Sequence, residues 1–260
     1  MMMVPATLIA RKSLNLLETP HPLSSFEQTL IVIPSYNEGD NIGAVLRGIK
    51  DFIPEVSVLV VDDGSSDETA RVAERQGAKV ISLPYNSGYG VALQTGYIYA
   101  LQHEYSIVLQ MDADGQHDPQ NIKDLLMEVQ KDDVDVVLGS RFLNRGQYQT
   151  SFAKRVGMIL FSGLASLFCG QRITDPTSGF QALKGKAIRF VASEFFPPDY
   201  PDADFLIMLH RSGFKIREIP VKMHPNPDNK SMHRGPRTIY YVFKMFLSIF
   251  VTLLRQKPHP

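Results

Sequence analysis

The stretch "SIVLQMDADGQHDPQNIKDLLMEVQ", residues 106–130, places an apolar run, a cluster of acids and an amphipathic pattern in direct succession. Residues 107–109 are typical of a buried strand, and the later part of the stretch has the apolar spacing of a helix. Asp112, Asp114 and Asp118 lie between the two elements. Clustered carboxylates repel one another unless a cation or a donor-rich ligand lies among them. The stretch therefore predicts a strand, loop and helix, with a positively charged group bound at the loop.

The same succession occurs along most of the N-terminal half. Apolar runs "TLIVIP", "VSVLVVDDG" and "AKVISL" precede the opening stretch, "VDVVLGS" follows it, and amphipathic segments separate them. Such alternation predicts an α/β fold with a Rossmann-like, mostly parallel sheet and helices on both faces. The second half is less regular, with the apolar segment "VGMILFSGLASLFC" and a final apolar run from Ile239 to Leu254.

Composition excludes several classes of function. The chain has 260 residues, and 27 Lys and Arg balance 27 Asp and Glu, so no overall basic surface predicts a nucleic-acid partner. The single cysteine, Cys169, excludes an internal disulfide framework and a cysteine-based zinc site. We predict an N-terminal arm over 1–28 without the order of a secretory signal, a catalytic domain over 29–235, and an apolar helix and tail over 236–260. Nothing in the sequence indicates an oligomeric state.

Polar residues gather where the predicted strands end. In an open parallel sheet, ligands bind outside the carboxyl ends of the strands. Four such ends are followed by "PSYNEGD" (34–40), "DDGSSDET" (62–69), "DADGQHD" (112–118) and "GSRF" (139–142). We expect these four segments to converge on one crevice.

Two of these segments allow more than one interpretation. "DDGSSDET" suits a turn that caps the next helix, and it equally suits hydrogen bonding to ribose hydroxyls or to the N–H groups of a base. In "DADGQ", Asp112 and Asp114 project to the same side of an extended segment, and with Gln116 they suit Mg²⁺ or Mn²⁺ that shares its shell with a diphosphate. An Asx turn is the structural alternative. A phosphatase with Asp112 as nucleophile is a further alternative, although Gln116 stands where that motif has Thr.

"NSGYG" (86–90) matches half of a dinucleotide-binding fingerprint, because Leu93 stands at the position of the third glycine. The motifs "IVIPSYNE", "VLVVDDGSSDET", "NSGYG", "QMDADGQHDP", "GSRF" and "DPTSGF" follow one another in this order. In that order they resemble the family-2 inverting nucleotide-sugar glycosyltransferases of the GT-A fold. The resemblance covers about residues 29–235 and is strongest to the branch of dolichyl-phosphate mannose synthases and polyprenyl-phosphate sugar transferases.

The resemblance implies a metal-dependent hexosyltransferase with a UDP- or GDP-linked donor. It implies an acceptor that is a polyprenyl phosphate or another membrane-linked molecule, in the synthesis of cell-envelope glycans. A sugar hydroxyl of a glycan is the alternative acceptor. A membrane-bound binding module without activity is less compatible with the sequence. Such a module would be expected to have lost the acids of the motifs, and all of them are present.

The resemblance also implies roles for particular residues. The matching donor-binding positions are Pro34, Tyr36, Glu38, Asp62, Asp63, Asp112 and Ala113, and the matching metal ligands are Asp112, Asp114 and Gln116. Arg141 and Ser178 match acceptor-binding positions. More loosely, Lys154 and Arg155 match further basic residues of the lipid-phosphate branch, and Lys230 and Ser231 match the loop that closes over the donor diphosphate.

A hydroxyl acceptor would need a general base. Asp204 matches the family's acid best and Asp202 is second, while the alternative is that one of them only caps a helix. A lipid phosphate needs no base, because it is already an anion at neutral pH.

The final apolar run predicts contact with a membrane surface. As a helix, its sixteen residues from Ile239 to Leu254 would extend about 24 Å, less than the roughly 30 Å of a hydrocarbon core. Arg234, Arg237, Arg255 and Lys257 flank the run. Apolar residues with basic ends are typical of a helix that lies in the interface, which predicts a peripheral enzyme on the cytoplasmic face. A helix buried in the globular domain is the alternative.

Overall fold

A computed structural model of the chain describes residues 26–143, 152–193, 196–197, 202–224 and 236–254. The described strands are β1 (Thr29–Ser35), β2 (Ser57–Asp62), β3 (Lys79–Ser82), β4 (Ile107–Gln110), β5 (Val136–Ser140), β6 (Gln181–Lys184) and β7 (Ile216–Pro220). The described helices are α1 (Ile42–Phe52), α2 (Thr69–Arg75), α3 (Tyr89–Gln102), α4 (Ile122–Val129), α5 (Phe152–Cys169), α6 (Lys186–Val191), α7 (Ala203–Arg211) and α8 (Pro236–Leu254).

The strands form one sheet in the order β3-β2-β1-β4-β6-β5-β7. The pairs β1–β2, β1–β4, β2–β3 and β5–β7 are parallel, and β6 runs antiparallel to both β4 and β5. The predicted α/β fold with a mostly parallel sheet is confirmed. Sequence analysis identified the first five strands but neither β6 nor β7, so it did not anticipate the antiparallel strand inserted beside β4.

Helices cover both faces of the sheet, as predicted. Alternate residues of β1 point to opposite faces, so Leu30 and Val32 join one apolar core while Ile31 and Ile33 join the other. The first core also contains side chains of α3, α5, α6 and α7, and the second contains those of α1 and α4. A strand buried on both faces explains the continuous apolar run in "TLIVIP".

Helix α3 lies unusually close to the centre of the sheet. A Cβ atom built on Gly96 would lie 2.3 Å from Cγ1 of Val32, a distance that real Cβ atoms do not adopt. Glycine at this position therefore allows α3 to pack directly on β1. The N-terminus of α3 carries the "NSGYG" segment, so this packing fixes that segment beside the ends of the central strands.

Helix α8 has one face packed on the domain and one face exposed. Met245 and Ile249 are buried in the first core, and Nη1 of Arg211 in α7 donates to the carbonyl oxygen of Leu253 at 2.9 Å. Among the α8 side chains that the structure describes, from residue 243 onward, six apolar ones are exposed, namely Phe243, Phe246, Leu247, Phe250, Val251 and Leu254. None of the described helices has the length and apolar character needed to cross a membrane. The predicted division of the chain at residue 236 stays a prediction.

The close approach of α3 to β1 has a measurable consequence. We expect Gly96→Ala to lower the free energy of unfolding by about 1–3 kcal/mol, because the added methyl group overpacks against Val32. Gly163→Ala is the matched control, since Gly163 also lies in a helix and a Cβ there meets nothing within 4 Å. Gly163→Ala should leave the free energy of unfolding unchanged or raise it by up to about 1 kcal/mol. Urea unfolding measures both variants, and equal stabilities would contradict the close packing of α3.

Candidate active site

The loops after the central strands meet at one edge of the sheet. β1 and β2 are parallel with Ser35 opposite Asp62, and β4 runs parallel to β1 on its other side, with Gln110 opposite Val32. β5 runs in the same direction as β4, because both are antiparallel to β6. The four polar segments expected to converge therefore all leave the sheet at the same edge.

Side chains of the "DDGSSDET" segment hold the loop that follows β1. Three successive backbone N–H groups of that loop donate across the gap, from Asn37 to Ser65 Oγ (2.9 Å), from Glu38 to Thr69 Oγ1 (2.9 Å), and from Gly39 to Asp67 Oδ2 (3.0 Å). Burial raises the pKa of Asp67, but hydrogen bonds from Thr69 and Gly39 outweigh it and hold that pKa below its ordinary value. The side chains of Ser65, Asp67 and Thr69 thus bind protein backbone, and Oδ1 of Asp67 also accepts from the backbone N–H of Thr69 at 2.9 Å at the start of α2, which fits the turn-and-cap interpretation.

The two acids that open this segment are buried, and both accept hydrogen bonds from backbone N–H groups. Asp63 accepts hydrogen bonds from the backbone N–H groups of Ser87 (2.7 Å) and Gly88 (2.9 Å), one on each carboxylate oxygen. Asp62 accepts one from the backbone N–H of Ser65 at 3.2 Å. Asp63 thus ties the end of β2 to the "NSGYG" segment. The predicted contacts of Asp62 and Asp63 with a donor nucleoside stay predictions.

The remaining predicted nucleoside contacts differ in exposure. Pro34 is buried within β1, Glu38 is half-buried and accepts from Nδ2 of Asn41 at 2.7 Å, and Tyr36 is 47% exposed. Tyr36 therefore presents an aromatic ring at the edge where the strands end, a surface on which a base can stack.

Asp112 and Asp114 lie directly after β4, and both side chains have restricted access to solvent. Oδ1 of Asp112 accepts from the Tyr89 hydroxyl at 2.7 Å, and Oδ1 of Asp114 accepts from the backbone N–H of Gln116 at 3.0 Å. Burial raises the pKa of both carboxyl groups, and the charge of Asp112 raises the pKa of Asp114 further. The charge of Asp112 therefore disfavours the charged form of Asp114, which is the repulsion that the sequence pattern predicted. Arg141 acts in the opposite direction and lowers the pKa of Asp112.

His117 contacts Asp112, and its buried ring has a structural role. Its Nδ1 accepts from the backbone N–H of Asp112 at 3.0 Å, and its ring stacks on Phe180 with centroids 4.7 Å apart. Burial lowers the pKa of His117 to about 4, so the ring is neutral at neutral pH and its proton lies on Nε2, 3.5 Å from Oδ2 of Asp112. The imidazole supports the loop from behind.

The carboxylates fit a divalent cation that a ligand helps to hold. Among the residues that the structure describes, no group of three or more His, Cys, Asp or Glu side chains could hold a metal by itself. Mg²⁺ in particular is commonly bound through one or two carboxylates, with substrate phosphates and water completing its shell. Gly179 lies against Asp112, where a Cβ would be 2.8 Å from Oδ2, so this face of the carboxylate is accessible only because residue 179 is glycine. Gln116 is half-buried, Ala113 is buried in the second core, and their predicted ligand contacts stay predictions.

Arg141 is held in one orientation by an ion pair. Its Nε and Nη2 atoms donate to the two carboxylate oxygens of Asp175, each at 2.6 Å, and Nη2 also donates to Thr177 Oγ1 at 3.0 Å. The Asp175 side chain is fully buried and that of Arg141 is 15% exposed. This bidentate geometry fixes the plane of the guanidinium group.

Glu218 on β7 in turn holds the loop that carries Asp175. Its Oε1 accepts from the backbone N–H of Asp175 at 2.8 Å, and its Oε2 accepts from the backbone N–H and the hydroxyl of Thr174, each at 2.8 Å. Burial raises the pKa of Glu218. Sequence analysis missed Tyr89, Asp175 and Glu218. "NSGYG" and "DPTSGF" contain the first two, but no local signal distinguishes Glu218.

The other predicted site residues are buried. The Ser178 hydroxyl donates to the carbonyl oxygen of Gly139, which favours a structural role, and its acceptor contact stays a prediction. Asp204 accepts a hydrogen bond on Oδ2 from Ser248 of α8, while its Oδ1 is buried and has no partner among the described residues. Burial raises the pKa of Asp204. Asp202 directly precedes α7 and is also buried. The side chains of Lys154 and Arg155, and all of Lys230 and Ser231, lie outside the described residues.

The chain belongs to glycosyl transferase family 2, whose model matches residues 30–191. A polyprenol monophosphomannose synthase of Mycolicibacterium smegmatis is 29% identical, with 78% of this chain and 80% of the relative covered. An undecaprenyl-phosphate mannosyltransferase of Micrococcus luteus is 30% identical, with 75% and 82% covered.

Among solved structures, glucosyl-3-phosphoglycerate synthase of Mycobacterium tuberculosis, in complex with Mn²⁺, UDP-glucose and phosphoglyceric acid, superposes with a TM-score of 0.66. It is 19% identical, and 90% of this chain and 84% of that chain are covered. The likeness confirms the predicted GT-A fold.

Glu218 provides a test of the support behind Arg141. We expect Glu218→Gln to lower the free energy of unfolding by about 1–3 kcal/mol, because an amide N–H₂ group would face backbone donors at residue 174 or 175 and leave one unpaired. Glu128→Gln is the control, since Glu128 pairs with Arg217 and Lys131 near the surface and should contribute much less. Chemical denaturation compares the two variants, and similar losses would contradict the role of Glu218 as the support of this loop.

Proposed function

We propose that the chain transfers a sugar, with inversion, from a UDP- or GDP-linked donor to a polyprenyl phosphate, with Mg²⁺ or Mn²⁺ as cofactor, in cell-envelope glycan synthesis. The observation that carries this proposal is the position of Asp112 and Asp114 at the end of β4, with the oriented guanidinium group of Arg141 close enough to lower the pKa of Asp112. Cation-binding and anion-binding groups are thus adjacent. The names of the two bacterial relatives support the choice of acceptor.

On the donor side, Asp112 and Asp114 would hold the cation, with Gln116 as a further ligand. A divalent cation, when bound there, supplies Lewis-acid stabilisation of the charge that develops on the departing nucleoside diphosphate. Tyr36 offers its exposed ring to the base, and Pro34, Glu38, Asp62 and Asp63 line the nucleoside side of the same edge. Tyr89 and His117 keep the Asp112 carboxylate from rotating. The protein thus positions its charges before the donor arrives.

On the acceptor side, the planar donors of Arg141 suit phosphate oxygens, and Asp175 holds them in place. A lipid phosphate is a nucleophile without assistance from a base. The burial of Asp204 and its hydrogen bond to Ser248 fit this acceptor, because the carboxylate already serves the contact between α7 and α8. A sugar hydroxyl is the second candidate acceptor. It would require Asp204, or Asp202, to take up a proton.

The exposed apolar side chains of α8 support a peripheral position on a membrane, and we propose that the enzyme lies on its cytoplasmic face. We call them the α8 face, namely Phe243, Phe246, Leu247, Phe250, Val251 and Leu254. Helix α5 adjoins it, with the rings of Phe161 and Phe246 at 6.1 Å, and adds the exposed side chains of Ile159 and Leu160. Exposed apolar side chains gathered in this way mark an interaction site, and a lipid surface would bring a polyprenyl phosphate to the enzyme.

The metal proposal predicts the effect of removing one carboxylate. We expect Asp114→Asn to lower sugar transfer to polyprenyl phosphate by at least about 100-fold, since metal stabilisation of the leaving group contributes several kcal/mol to the rate. Asp132→Asn, at an exposed acid after α4, is the control and should keep full activity. Transfer is followed with labelled UDP- and GDP-sugars, with and without EDTA. Full turnover by Asp114→Asn, or by the wild type in EDTA, would refute the proposal.

The membrane proposal predicts the effect of charges on the α8 face. Point substitutions are preferable to removal of α8, because Met245 and Ile249 belong to the core. We expect the double variant Leu247→Glu and Phe250→Glu to bind anionic vesicles about 100-fold more weakly. Transfer of these two exposed apolar side chains from water into lipid would contribute about 3 kcal/mol to binding.

Met127→Glu is the matched control, because Met127 is exposed on α4, outside the α8 face. It should float with vesicles as the wild type does, and all three proteins should retain nucleotide binding. Flotation of the double variant at wild-type level, or failure of the wild type to float, would contradict the membrane proposal.

A further inference from the structure

A line of three hydrogen bonds connects the interior of the domain to Asp112. The Tyr97 hydroxyl donates to Oε1 of Gln110 at 2.7 Å, and Nε2 of Gln110 donates to the Tyr89 hydroxyl at 3.0 Å. The Tyr89 hydroxyl then donates to Oδ1 of Asp112 at 2.7 Å. Tyr97 and Tyr89 both come from α3, whereas Gln110 is the last residue of β4.

All three bonds point in the same direction, and each one determines the next. Tyr97 has one proton, which it gives to the carbonyl oxygen of Gln110, so the amide must present its N–H₂ group to Tyr89. Because Tyr89 then accepts on its oxygen, its own proton is directed to Asp112. A neutral tyrosine hydroxyl has only one proton to donate. At the other end of the line, the Asp112 carboxylate can only accept a hydrogen bond, so both ends of the line require the same direction of all three bonds.

The inner part of the line is closed to solvent. Tyr97 is 0% exposed and Gln110 is 1% exposed, and the Tyr97 ring packs edge-on against Phe196 with centroids 5.4 Å apart. Solvent water therefore does not reach the inner hydrogen bonds. Polar side chains placed this deeply are retained only when their hydrogen bonds are satisfied.

We propose that Tyr89, with Gln110 and Tyr97 behind it, is a positioning relay that holds the Asp112 carboxylate ready for the cation. The inference rests on the proposed function, because it assigns a purpose to residues behind the proposed metal ligand. A carboxylate that is already oriented loses less freedom when it binds a metal, and partners behind a ligand commonly change metal affinity by about 10–100-fold. The relay also gives "NSGYG" a role other than the dinucleotide fingerprint that it half matches.

The test measures Mn²⁺ affinity directly, by electron paramagnetic resonance of unbound Mn²⁺ in the presence of UDP and, separately, of GDP. We expect Tyr89→Phe, which removes the hydroxyl that donates to Asp112 and accepts from Gln110, to weaken Mn²⁺ binding by about 10-fold or more. Tyr97→Phe should weaken it less, because Tyr89 remains but Gln110 is no longer oriented. Tyr99→Phe is the matched control on the same helix, since its hydroxyl accepts from Lys79 at 3.1 Å, and it should bind as the wild type does.

A double-mutant cycle distinguishes a relay from separate structural effects. If Tyr97 acts through Tyr89, then Tyr97→Phe changes Mn²⁺ affinity in the wild type but not in the Tyr89→Phe background. Additive effects on Mn²⁺ affinity, or wild-type affinity in Tyr89→Phe, overturn the inference. Urea unfolding and circular dichroism identify the folded variants, and if Tyr89→Phe does not fold, wild-type affinity in Tyr97→Phe overturns it.

Asp114→Asn separates this inference from the proposed function. If Asp114→Asn loses Mn²⁺ while Tyr89→Phe keeps it, the proposed function stands and the relay is refuted. If the wild type and Asp114→Asn bind Mn²⁺ alike with either nucleotide, the metal site itself is refuted, and the relay falls with it.

Discussion

Electrostatic repulsion between two carboxylates is the constraint on which the site depends. Asp112 and Asp114 lie two residues apart after a buried strand, and burial raises the pKa of both while the charge of the first raises that of the second. Such an arrangement costs free energy in the absence of a compensating positive charge. A globular domain tolerates it at a functional site, where a cation with a phosphorylated ligand can offset it. The surrounding structure can be understood as the support of these two side chains.

That support comes from hydrogen bonds between loops. Asp63 binds the segment before α3, the residues after Gly64 bind the loop after β1, and Glu218 holds the loop whose Asp175 orients Arg141. Most polar side chains at the sheet edge therefore bind protein, and the site is organised before any ligand is present. Preorganised dipoles and charges of this kind cost no reorganisation when charge develops on the leaving group.

The sequence predicted the elements that carry strong local patterns. Strands β1 to β5 were recognisable from their apolar runs. The acids at the ends of these strands were recognisable as site candidates, because ligands bind beyond the carboxyl ends of strands in an open parallel sheet. Strands β6 and β7 were missed because polar and charged residues interrupt their apolar pattern, as in "QALK" and "IREIP". Glu218 acts on Thr174, 44 residues earlier in the chain, so its role has no local signature. The contact of Ser248 with Asp204 is equally distant, and it shows that α8 is anchored to α7 while its other face stays exposed.

The central claim is that Asp112 and Asp114 share one divalent cation with the diphosphate of a nucleotide. The most direct measurement is a crystal structure of the chain with Mn²⁺ and UDP or GDP, with anomalous scattering recorded at the manganese edge. We expect one strong anomalous peak within coordination distance of both carboxylates and of the diphosphate oxygens. A nucleotide bound at this edge of the sheet with no manganese between it and these two residues, or manganese bound elsewhere, would contradict it.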